Sequence, residues 1–207
     1  MSKTSIITEK RIVPVVAIGD SSKAADLASA LVEGGLPIAE ITLRTPASLE
    51  ALRIAAQNKD LTVGVGSLRT ANDLMKAVNA GAVFAVSAGF SLAIAQEAAK
   101  IKIPYFPGVA TPTEILQALD AGLTTLKFFP AETLGGVAAL KAFSAPFPGV
   151  SFMPTGGVNA MNAADYLALP SVVAIGGSWM VAQSTIDAGD FDSIIKLTRE
   201  AVEIGKR

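Results

Sequence analysis

Two short runs of alternating polar and apolar residues hold the side chains with chemical use. In Ala39-Glu40-Ile41-Thr42-Leu43-Arg44-Thr45-Pro46, the alternation of a strand puts Glu40, Thr42 and Arg44 on one face, opposite Ile41 and Leu43. In Leu123-Thr124-Thr125-Leu126-Lys127-Phe128-Phe129-Pro130, it puts Thr125, Lys127 and Phe129 opposite Leu126 and Phe128. A carboxylate beside a guanidinium supplies a general base and a bidentate clamp for a carboxylate. A lysine among aromatic and aliphatic neighbours loses solvation, which disfavours its charged form. The neutral amine attacks carbonyl carbon, as Schiff-base catalysis requires. The plain alternative is a structural ion pair, of Glu40 with Arg44 or with Lys127. A Glu40–Lys127 pair fits both readings, since it would itself be catalytic machinery.

Glycine marks further candidate positions. Thr155-Gly156-Gly157 and Gly176-Gly177-Ser178 end the last two apolar runs, where backbone N–H groups freed of side chains can approach a phosphate. Each pair alone reads as well as an ordinary turn; the two together favour the phosphate. Gly64-Val65-Gly66-Ser67 lacks the third glycine of a dinucleotide fingerprint. Ser67 either donates to a substrate carboxylate or caps the helix that follows. Phe129 reads as pocket wall, and Trp179, the one tryptophan, as filler of a helix–barrel or subunit contact.

These groups need a frame. Apolar, β-branched runs at 12–18, 38–43, 61–65, 83–87, 104–106, 124–128, 151–153 and 172–175 alternate with alanine- and leucine-rich helical stretches. Gly34, Gly81 and Gly122 stand where helices should stop. Eight β-then-α units predict an α/β protein, a single closed (β/α)8 TIM barrel over residues 1–207 with a short N-terminal helical extension. The active site of such a barrel lies at the C-terminal ends of its strands. An open doubly wound sheet is the alternative.

Composition removes whole classes of chemistry. With no histidine and no cysteine among the 207 residues, a Ser–His–Asp triad, a cysteine nucleophile, disulfides and histidine- or thiolate-bound metals are excluded. Acid–base work near neutrality falls to carboxylate, lysine or tyrosine. A formal net charge of −1 gives no basic footprint for nucleic acid. Residues 1–10 lack a signal peptide's apolar core. No stretch approaches the roughly 18 apolar residues of a membrane span. The mean hydropathy of +0.49 therefore reads as buried strands, and a cytoplasmic location with no membrane partner is expected.

Five motifs in order resemble the bacterial 2-keto-3-deoxy-6-phosphogluconate (KDPG) aldolase family, also described as acting on 4-hydroxy-2-oxoglutarate (KHG). They are Glu40-Ile41-Thr42-Leu43-Arg44-Thr45, Pro107-Gly108-Val109-Ala110-Thr111-Pro112, Leu126-Lys127-Phe128-Phe129-Pro130-Ala131-Glu132, Pro154-Thr155-Gly156-Gly157-Val158 and Ile175-Gly176-Gly177-Ser178-Trp179. The resemblance implies a class I lyase of the Entner–Doudoroff route, with Lys127 as the Schiff-base lysine and Glu40 as the proton shuttle. It implies that Arg44 and Ser67 hold the pyruvate carboxylate and that Thr155, Gly156, Gly157, Gly177 and Ser178 hold the phosphate of a small keto-acid phosphate. It further implies a homotrimer with no metal and no cofactor. The rivals are a decarboxylase of β-keto acids such as oxaloacetate and a phosphate-ligand-binding barrel without turnover. Two positions depart from the family: Ser67 stands for the usual threonine, and Ala88 for the usual proline, which should loosen the turn after the fourth strand.

Overall fold

The computed structural model describes residues 5–206, so residues 1–4 and 207 of the expected domain lie outside the described residues. The N-terminal extension is helix α1 (Ser5–Lys10). Nine parallel strands follow. They are β1 (Ile12–Val16), β2 (Ile38–Thr42), β3 (Thr62–Leu68), β4 (Ala85–Ser87), β5 (Tyr105–Phe106), β6 (Gly108–Val109), β7 (Thr125–Phe128), β8 (Ser151–Pro154) and β9 (Ile175–Gly177). Every residue of β1 and β2 is buried, because a parallel strand covered on both faces leaves no side for water. Between and after the strands run α2 (Ala24–Glu33), α3 (Ser48–Ala55), α4 (Ala71–Asn79), α5 (Leu92–Ile101) and α6 (Pro112–Asp120). The series continues with α7 (Gly136–Ser144), α8 (Ala163–Leu167), α9 (Gln183–Ala188) and α10 (Phe191–Gly205).

The closed eight-stranded barrel is not what forms. The strands make an open six-stranded parallel sheet, ordered β5-β4-β3-β2-β1-β9, and a separate three-stranded sheet, ordered β6-β7-β8. Two prolines account for the breaks. Pro107 separates β5 from β6, and its carbonyl accepts from Lys127 N–H at 2.8 Å. Its own nitrogen faces the same neighbour but has no hydrogen to give. On the other side, Phe152 N–H donates to Ser171 O and Thr155 N–H to Phe128 O. By alternation the nitrogen of residue 154 faces β9, and it too is proline. Only isolated bridges, Phe152 with Val172 and Thr155 with Gly176, cross that seam.

Local signals explain several helix starts. Thr70 and Thr111 form reciprocal capping boxes with Asp73 and Glu114, each satisfying two of a helix's orphan N–H groups. Thr70 thus takes the capping role that was open to Ser67. The left-handed residue after α2 is Gly35, not Gly34. Gly34 instead lets α10 approach, since a Cβ there would sit 2.5 Å from Thr198 Cγ2.

Candidate active site

Glu40 on β2 and Lys127 on β7 belong to different sheets, and their side chains meet. Lys127 Nζ donates to Glu40 Oε1 at 3.1 Å, with side-chain exposures of 7% and 3%. A pair this dry is costly to desolvate and weak evidence for stability, which makes a chemical purpose the better account. Gly66 on β3 makes the space: a Cβ there would lie 2.1 Å from Glu40 Oε1. The Phe129 ring lies 5.4 Å from the amine, within the range at which an aromatic face interacts with a cation.

Arg44 does not pair with Glu40. Its Nε donates to Thr42 Oγ1 at 3.0 Å, and Thr42 in turn donates to Val16 O at 2.7 Å. That leaves the outer guanidinium N–H groups without an acid among the described residues. Arg44, Ser67, Phe129 and Thr155 line one cavity of about 340 Å³ with Glu40 and Lys127, within the roughly 300–1,000 Å³ usual for small-molecule sites. Ser67 holds φ +58, a left-handed conformation unusual for a residue with a side chain.

Gly156, Gly157, Gly177 and Ser178 line an adjoining hollow of about 120 Å³, which shares Val15, Arg44, Phe129 and Thr155 with the first. The two are compartments of one cleft, and Arg44 borders both. Gly156 and Gly157 carry φ of +97 and +80, so the turn needs glycine's freedom. Gly177 packs under Trp179, whose ring a Cβ would meet at 1.8 Å. The indole thus packs against this strand end.

The ten residues given catalytic, binding or wall roles from the sequence therefore line the one cleft. Arg69 also borders the lysine compartment and was missed, and Ala88, read from the sequence only as a looser turn, borders it too. The signal at Ser67 was the glycine-rich strand end Gly64-Val65-Gly66, and Arg69, two residues further on, lies outside it. The turn at Ala88 is tied without proline: Ser87 Oγ donates to Gly89 O at 2.6 Å and accepts from Tyr105 O–H at 2.6 Å. Larger hollows of about 460 and 520 Å³ lie around α7 and α8, but they hold no buried ionisable pair. Size does not locate the chemistry here.

Relatives that match this chain over nearly its whole length at 37–44% identity are aldolases, enzymes that make and break carbon–carbon bonds. The family described as KDPG and KHG aldolase matches residues 4–197. A KHG/KDPG aldolase of Escherichia coli strain K12 is 44% identical over 206 residues, 99% of this chain and 97% of that protein. The chain belongs to the KDPG/KHG aldolase family. The KDPG aldolase of Legionella pneumophila, solved with pyruvate captured as a covalent carbinolamine, superposes with a TM-score of 0.92. It is 37% identical, covering 96% of this chain and 97% of that one. The enzyme of Zymomonas mobilis, solved with 3-phosphoglycerate, gives a TM-score of 0.90 at 40% identity, covering 96% and 94%.

Proposed function

We infer that this chain, acting as one catalytic domain, cleaves KDPG to pyruvate and glyceraldehyde 3-phosphate through a Schiff base on Lys127. Cleavage of KHG to pyruvate and glyoxylate would follow the same route. The carrying observation is the 3.1 Å contact between a buried amine and a buried carboxylate at the floor of a cleft with a guanidinium on its wall. The deprotonated Lys127 amine attacks the keto carbon, and loss of water gives an iminium. That positive nitrogen accepts the electron pair of the bond between the third and fourth carbons as it breaks. Glu40 takes the proton from the fourth-carbon hydroxyl, directly or through water, releasing the aldehyde. It returns a proton to the enamine carbon, and hydrolysis of the iminium frees pyruvate and Lys127. One carboxylate acting in turn as base and acid suits a site without histidine.

Arg44, with Ser67, holds the pyruvate carboxylate. The Gly156-Gly157 turn, with Thr155, Gly177 and Ser178, takes the phosphate through backbone N–H groups and hydroxyls. A homotrimer and a cytosolic setting belong to the same proposal. The family resemblance supports the first and the absence of cysteine the second. Among the described residues no helix is long and apolar enough to cross a membrane. The test is intact mass and peptide mapping after incubation with pyruvate and borohydride. A reduced pyruvate adduct on Lys127 is expected; folded protein without one, or with it on another lysine, overturns the assignment.

A further inference from the structure

Outside the reacting groups, one buried polar contact touches the glycine turn from behind. Tyr166, on α8, is wholly buried, and its O–H donates to Glu132 Oε1. Burial first, and the hydrogen bond to Glu132 next, push this phenol above its ordinary range, so it remains a donor at any pH the enzyme meets. Glu132 lies five residues after Lys127. Its N–H donates to Gly156 O at 3.0 Å, and the N–H of Ala131 donates to Thr155 O at 2.8 Å. The aliphatic stem of Glu132 fills the space where a side chain on Gly157 would begin: a Cβ there would meet Cγ at 2.5 Å and Cβ at 2.6 Å.

The contacts act together. The main chain of Glu132 fixes one carbonyl of the turn, its stem packs on the next glycine, and Tyr166 fixes the far end of that stem. Glu132 as a residue is exposed, whereas Tyr166 is wholly buried, so the contact ties a surface residue to the core. A loose carboxylate beside a phosphate site would repel the ligand, and the Tyr166 donor holds this one in place behind the turn.

We propose that Glu132 and Tyr166 are a positioning pair, holding the Gly156-Gly157 turn in the shape that receives the substrate's phosphate without themselves touching substrate. The proposal rests on the phosphate reading given above. The pair therefore sets the preference for phosphorylated over unphosphorylated aldehydes and has no part in forming the Schiff base.

The test is condensation with pyruvate, comparing glyceraldehyde 3-phosphate with glyceraldehyde as acceptor. Tyr166→Phe should raise KM for the phosphorylated aldehyde about tenfold, the loss expected for one hydrogen bond to a charged group. Its kcat and its kcat/KM for glyceraldehyde should stay within about twofold of wild type. Glu132→Gln keeps the stem and an acceptor for the phenol and should retain most of the wild-type preference, whereas Glu132→Ala should lose it even if Tyr166→Phe proves too unstable to assay. Variants that lower both acceptors alike, or neither, overturn the pair's role while wild type still prefers phosphate. A wild-type enzyme without that preference overturns the phosphate reading itself.

Discussion

The two ends of the cleft are built on opposite plans. At the lysine end the proposed chemistry is carried by side chains and the backbone stands aside: Glu40 and Lys127 meet at 3.1 Å, and Gly66 on β3 leaves room for the carboxylate. At the glycine end the proposed binding surface is backbone, and side chains such as Glu132 and Trp179 pack against its glycines. Each end also joins the two sheets. Glu40 and Gly177 come from the six-stranded sheet, while Lys127 and the Gly156-Gly157 turn belong to the three-stranded one. The difference implies distinct failures. Atom changes at the lysine end should remove turnover, while shape changes at the glycine end should weaken binding of one substrate class.

The hardest break is Lys127→Met. Turnover and the borohydride-trapped adduct should both vanish, because among the described residues no other lysine lines the cleft. The same change strands Glu40 as a buried, unpaired carboxylate, and loss of about 3–5 kcal/mol of stability is expected in denaturant titration. Combining it with Glu40→Gln should recover most of that stability and none of the activity. Recovery of neither would mean that the pair is held by contacts other than its own. Glu40→Gln alone should lower kcat by about 10²–10⁴, the range for a lost general acid–base group. Its pyruvate adduct should still form, which separates proton transfer from amine attack. A fall of less than about threefold would remove Glu40 from the mechanism.

The lysine end was legible because side-chain chemistry is written in residue types. A period-2 pattern put Glu40 with Arg44 and Lys127 with Phe129, and a parallel α/β frame sends such faces to one place. The glycine end was legible only as a hint, since GG pairs are common in turns, and its support from Tyr166 was not legible at all. Glu132 and Tyr166 are 34 residues apart, and no local pattern links them. The barrel's closure was misread for a related reason. Counting β-then-α units registers where strands lie, whereas closure depends on backbone donors at each seam. Pro107 and Pro154 stood inside quoted motifs, and their missing N–H groups are what part the ladders. The plain alternative of a Glu40–Arg44 pair does not form, as Arg44 lies past the end of β2 and bonds to Thr42 instead.

Two glycine substitutions set the ends against each other. Gly66→Ala would put a methyl 2.1 Å from Glu40 Oε1. Either the carboxylate or β3 must move, and a displacement near 1 Å at a reacting group costs about 10²-fold in kcat. Both phosphorylated and short substrates should suffer equally. Gly157→Ala meets the Glu132 stem at 2.5 Å and keeps φ at +80, a strain of about 1–3 kcal/mol. Here kcat should hold within about threefold, while KM for the phosphorylated aldehyde rises about tenfold, as for a weakened set of backbone contacts. Equal loss on both acceptors in Gly157→Ala would erase the contrast between the ends.

The mildest test sharpens the comparison at a residue where both plans meet. Ser67 offers a side-chain hydroxyl to the lysine compartment from a backbone at φ +58. Threonine, the residue usual in the family, would keep the hydroxyl and add a branch at Cβ that the left-handed region disfavours. Ser67→Thr should therefore leave KM for pyruvate within about threefold, since the donor survives. It should cost about 1 kcal/mol of stability, seen as a fall in Tm of about 2–4 °C for a chain of this size. An unchanged or higher Tm would mean that the methyl finds packing worth the strain. Serine would then be no backbone accommodation, and any change in KM would report the contact with the substrate carboxylate alone.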